Sequence, residues 1–131
     1  MSAYPRPAAR SLTFALAIAC AVTPAIAKEA ADNLVPAGAA VDCIPINTIR
    51  QTNVRDDQTI DFITNGNKIY RNTLPISCPS LGFEKRFLYR TSLSRLCSVD
   101  VIRVLYNAGT GVMPGAGCGL GKFQPMQKAP K

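Results

Sequence analysis

Polar and apolar positions alternate most clearly at Thr59-Ile60-Asp61-Phe62-Ile63, where Ile60 and Phe62 share one side of an extended chain and Thr59 and Asp61 the other. Asn65-Gly66-Asn67 follows, a strong short hairpin signal, and Lys68-Ile69-Tyr70-Arg71 reads as the return strand, ending before Pro75. Upstream, residues 48–54 hold Thr, Ile and Val and stop at the turn-forming pair Asp56-Asp57, which predicts a third strand of a meander. Residues 78–82 read as a turn or short helical coil, and Arg86-Phe87-Leu88-Tyr89-Arg90 as a further strand, with a helical turn from Phe83 as the alternative. Residues 97–106 form the most apolar stretch outside the N-terminus. Val99, Val101, Ile102 and Val104 there are β-branched, which favours a strand. Residues 107–117 read as a Gly-rich loop holding Pro114, and 118–123 as a last strand stopping at Pro125. The pattern predicts a mainly β fold, a small barrel or compact sandwich of about six short antiparallel strands. Closure into a barrel would also remove exposed strand edges.

The first residues follow a different pattern. Arg6 and Arg10 precede an uncharged apolar run from Leu12 to Val22. Pro24 and Ala25-Ile26-Ala27 come next, before the polar Lys28-Glu29. This is the build of a secretory signal peptide cleaved after Ala27. The run is shorter than the about 20 residues that a membrane span needs. A lipoprotein signal at Cys20 is the rival reading. Leu16, however, stands four rather than three places before the cysteine, and the residues after it stay apolar. The resulting organisation is a signal peptide (1–27), an Ala-rich spacer (28–41), a β domain (42–125) and a flexible tail (126–131). The mature chain then belongs in the periplasm or outside the cell.

Cysteine count sharpens that picture. Beyond residue 27 the chain holds Cys43, Cys78, Cys97 and Cys118. Four cysteines in a short exported chain predict two disulfides. None lies within the C-x₂₋₄-C spacing of a thiolate zinc site, so no metal site is expected. Four cysteines allow three connectivities, and the reading leans to Cys43–Cys78 with Cys97–Cys118. The bridges matter because so small a domain buries little core.

Charge and chemistry narrow the function classes. The chain carries a net charge of +7, which falls to about +5 once Arg6 and Arg10 leave with the signal peptide. It has no histidine, which removes Ser-His and Cys-His nucleophile pairs and the commonest metal ligand. A hydrolase working with carboxylates alone would draw on Asp57 with Asp61 or Glu84, a distant alternative because these residues share no evident site. Gly115-Ala116-Gly117-Cys118-Gly119-Leu120-Gly121-Lys122 resembles a phosphate loop only superficially, since Phe123 replaces the required Ser or Thr. No cofactor is expected. What is left is a basic surface. Arg71, Arg86 and Arg90 beside Tyr70 and Tyr89 make a candidate patch for an anionic envelope component. Nucleic acid is a poor fit for an exported chain with few aromatics.

The segments Cys43-Ile44-Pro45, Asp56-Asp57-x-Thr59-Ile60-x-Phe62, Tyr70-Arg71-Asn72-x-Leu74, Cys78-Pro79-x-Leu81, Leu96-Cys97-Ser98-x-Asp100-x-Ile102-x-Val104 and Cys118-Gly119-Leu120-Gly121-x-Phe123-x-Pro125 together resemble a family of small exported bacterial proteins. The domain these share has no assigned function. The resemblance implies a signal peptide, one domain and a four-cysteine framework, and no catalytic residues. Two functions follow as expectations: a non-enzymatic binding or accessory protein of the envelope, or an inhibitor or stabiliser of another exported protein. In the second case the 115–121 segment would be the contact.

Overall fold

The computed structural model describes residues 32–131. The expected signal peptide, Cys20 and the first residues of the expected spacer lie outside the described residues. The elements in chain order are β1 (Leu34–Pro36), β2 (Cys43–Pro45), β3 (Ile49–Val54), β4 (Thr59–Thr64), β5 (Ile69–Thr73), α1 (Leu81–Glu84), β6 (Phe87–Tyr89), β7 (Arg95–Cys97), β8 (Val101–Ala108), β9 (Gly111–Gly119) and β10 (Phe123–Lys128). The fold is mainly β, as the pattern predicts, but with ten strands among the described residues rather than about six. They form a five-stranded sheet ordered β1-β10-β5-β4-β3, a three-stranded sheet β6-β8-β9 and a two-stranded ribbon β2-β7. All pairs are antiparallel, and the sheets do not close into a barrel.

The predicted meander is β3-β4-β5. Gly66 and Asn67 both take left-handed backbone angles in the β4–β5 turn, φ 71° and 57°, which glycine and asparagine adopt at least cost. Alternation then sorts the side chains. Ile60 and Phe62 face inward with Asn72 and Tyr70 opposite them, whereas Asp61 pairs with Arg71 on the other face. In β8, Ile102 and Val104 are fully buried, while Val101 and Arg103 point out. Phe62 meets Phe87 of β6 and Phe123 of β10 edge to face at 6.2 and 5.4 Å, which joins the two larger sheets through one aromatic cluster.

Three expectations are corrected. The Gly-rich segment is a strand. β8 turns at Gly109-Thr110 and β9 returns along it, so pairing with an apolar neighbour overrides a weak local strand signal. The last strand is β10, which begins at Phe123 and runs through Pro125. Pro125 is tolerated because its backbone faces the short edge strand β1 rather than β5: its carbonyl accepts a hydrogen bond from the Ala37 N–H at 2.8 Å, and only the reciprocal bond at the end of that edge is lost. Third, the disulfides join Cys43 to Cys97 and Cys78 to Cys118. Cys43 stands directly opposite Cys97 in the β2–β7 ribbon, a non-local pairing that sequence proximity does not disclose. The segments read as spacer and tail also differ from expectation: β1 pairs with the end of β10, Leu34 opposite Lys128.

One buried polar contact fixes how the last strand enters. The Asn72 side chain, fully buried, donates to the Gly121 carbonyl at 2.7 Å and accepts from the Gly121 N–H at 2.8 Å. Both halves of the amide are thereby satisfied, as burial requires. A Cβ at 121 would lie 2.1 Å from the Thr73 carbonyl oxygen, so only glycine fits that approach.

Candidate functional site

The outer face of the β6-β8-β9 sheet is the most suggestive surface. Register places Leu88 opposite Arg103, and Arg103 opposite Gly117. Opposite residues share a face, so Leu88, Val101, Arg103 and the bare Gly117 lie on the side away from the core. Val101, Arg103 and Pro114 are all exposed. With Arg90, which follows β6, these side chains line an open cavity of about 560 Å³: Leu88, Val101 and Pro114 give it apolar walls, and Arg90 and Arg103 supply charge. That size is within the usual range of ligand-binding clefts. Among the described residues, neither arginine is within ion-pair distance of a carboxylate. The Arg103 guanidinium extends across β9 and donates to the Gly115 carbonyl at 3.4 Å.

The patch expected from sequence is dispersed. Arg71 lies on the outer face of the five-stranded sheet. There its Nε and Nη2 donate to Asp61 at 2.8 and 2.9 Å, and its Nη2 also donates to Asp32. Arg55 Nε donates to the same Asp61 at 2.6 Å, and Arg55 pairs with Asp32 at 3.2 Å. Arg71 is therefore committed to structure. Arg86 sits 3.8 Å from Glu84. Tyr70 and Tyr89 pack against the core, with Tyr89 tilted against Phe87 at 6.5 Å, and so present no joint platform to solvent. Of the five residues, Arg90 alone lines the cavity. Its partner, Arg103, was legible as the charged position between the inward Ile102 and Val104, but the strand had first to be given its two faces.

Asp61 is 2% exposed, and its environment acts on it in opposing ways. Burial alone drives its carboxyl pKa up. Hydrogen bonds from Arg71 and Arg55, with their charges, outweigh burial and hold it below the ordinary value. Reciprocally, the bond to Asp61 raises the Arg71 pKa; burial opposes this and Asp32 adds to it. Of the other acid–base candidates, Glu84 lies 3.8 Å from Arg86, and Asp57 belongs with its neighbour Asp56 to a turn. Asp57 Oδ1 accepts from the Gly82 N–H at 2.7 Å, and Asp56 Oδ1 from the Gln58 N–H at 2.7 Å, which makes this pair a turn anchor.

Among the described residues, no helix is long and apolar enough to cross a membrane. No protein-family model, no curated protein and no solved structure matches the chain.

Proposed function

We propose that this chain is an exported, non-catalytic binding or accessory protein of the bacterial envelope, whose partner docks on the outer face of the β6-β8-β9 sheet through an anionic group. The observation that carries this reading is the pair Arg90 and Arg103, free of carboxylates among the described residues and flanking the apolar trough of Leu88, Val101 and Pro114. Arg71, by contrast, is held between Asp61 and Asp32. Two disulfides suit an oxidising compartment, and the leader with its expected cleavage near Ala27 directs the chain there. Anchoring by lipid at Cys20 is the alternative route to the same compartment. The absence of histidine and the engagement of Asp57 and Asp61 leave a carboxylate-only hydrolase without support. A second reading, an inhibitor or stabiliser of another exported protein, is favoured by the exposure of β9 beside the trough.

Chromatography on immobilised heparin, used as a generic polyanion, tests the proposal. The variant Arg90→Ala/Arg103→Ala is expected to elute at lower salt than Arg50→Ala/Lys68→Ala, although both lose two charges. Identical elution of the two variants would mean that net charge alone governs retention, and the reading would fail.

A further inference from the structure

The edges of the sheets are not alike. β1 is three residues long and ends in Pro36, and β6 is three residues long. β3 carries Arg50 and a register shift between Ile49 and Gln51. Short length, charge, proline and irregular register are the usual means of keeping an edge from pairing with other chains. The remaining long edge, β9, runs nine residues without a charged side chain, and among the described residues nothing pairs with its far side. Pro114 and the register shift beside it interrupt only its middle. Beyond them, Ala116, Gly117 and Gly119 are exposed and offer free backbone with almost no side chain in the way.

We infer that β9 is a docking edge that takes an extended segment of another exported protein as an added strand, and that Arg103 selects a carboxylate on that segment. The inference rests on the binding-face reading above and names the partner's class. Strands in a sheet are about 4.8 Å apart, so a docked residue opposite Gly117 lies about 10 Å from the Arg103 backbone, on the same face. Gly117 between them has no side chain, Val101 Cγ1 stands 3.3 Å from where its Cβ would be, and the Arg103 guanidinium already reaches β9 at the Gly115 carbonyl. An Asp or Glu at that docked position therefore meets the guanidinium directly. Two residues along, the docked segment lies opposite Gly119, across which stands the exposed Val101. An apolar side chain there covers it. The segment thus alternates, with an acidic side chain and an apolar one two positions away, while main-chain hydrogen bonds supply affinity without regard to sequence. A second copy of β9 does not fit, because that strand contains no carboxylate to offer Arg103.

The test uses the disulfide-intact protein and a capped heptapeptide, Thr-Val-Thr-Glu-Thr-Val-Thr, followed by NMR. Binding is expected to shift and slow the exchange of the amides from Ala116 to Gly119. N-methylation of the peptide amides that face β9 keeps every side chain and is expected to weaken binding about tenfold. Arg103→Ala is expected to weaken it about fivefold, and Arg103→Glu to prefer the peptide with a central Lys. Equal binding of the N-methylated peptide, or shifts that avoid β9, would overturn strand addition. If phosphatidylglycerol vesicles perturb Arg90 and Arg103 while the peptide does nothing, strand docking is wrong and the anionic binding face stands. If neither probe perturbs those residues, both ideas fall.

Discussion

Replacing Cys78 and Cys118 together by alanine is expected to lower the thermal midpoint by on the order of 20 °C. The crosslink spans 40 residues of chain, and in the chain-entropy account a loop of that length contributes about 4 kcal/mol. For a domain of about 100 residues, each kcal/mol corresponds to roughly 4–8 °C. The bridge also has a local task. Cys78 is fully buried, and through it the turn that precedes α1 is tied to β9 at Cys118, beside Gly117 and Gly119. The variant should therefore lose order first at the edge assigned to docking. Calorimetry of both proteins checks the size of the effect, and a midpoint within a few degrees of the parent would show that the apolar core suffices without this bridge.

The second large effect belongs to Asp61. Asp61→Ala leaves the guanidinium groups of Arg55 and Arg71 together with, among the described residues, Asp32 alone to offset them. Removing one member of a buried ion pair typically costs about 3–5 kcal/mol, and the partial exposure of both arginines reduces the expected cost here to about 2–3 kcal/mol. The same group sets an acid limit. Its carboxyl is held below the ordinary value in the folded protein, so its stabilisation is fully present above the unfolded value of about 4 and is lost as pH falls through the folded one. The parent should thus lose stability faster than Asp61→Ala on the acid side of about pH 4. Urea midpoints measured across that range distinguish the two, and parallel curves would remove Asp61 from the acid response.

How much of this was legible in the sequence depends on whether local pattern or distant pairing decides each element. β4 and β5 follow directly from the alternation around Ile60 and Phe62 and from a turn with glycine and asparagine in left-handed conformation. The β-branched run of β8 is equally plain. β9 is not, because five of its nine residues are glycine or proline, and what makes it a strand is β8 beside it. The disulfide pairing depends on β2 finding β7 across more than fifty residues, and nothing near Cys43 signals that. The site was half visible. Charge counting singles out Arg71 and Arg90 alike, and only the position of Asp61 opposite Arg71 shows that one of them is already neutralised. Arg103 becomes a candidate once Ile102 and Val104 are known to face inward.

The exposed face of the small sheet as the place where a partner sits is the centre of this account, and contact at that face can be measured directly. A photoreactive residue placed at Val101, in bacterial cells producing the full chain, is expected to yield a crosslinked adduct that disappears when Arg90 and Arg103 are replaced by alanine. The same residue placed at Asn53, on the exposed β3 edge of the five-stranded sheet, should yield none. Adducts of equal strength from both positions, or an adduct at Val101 that persists without the two arginines, would contradict the account.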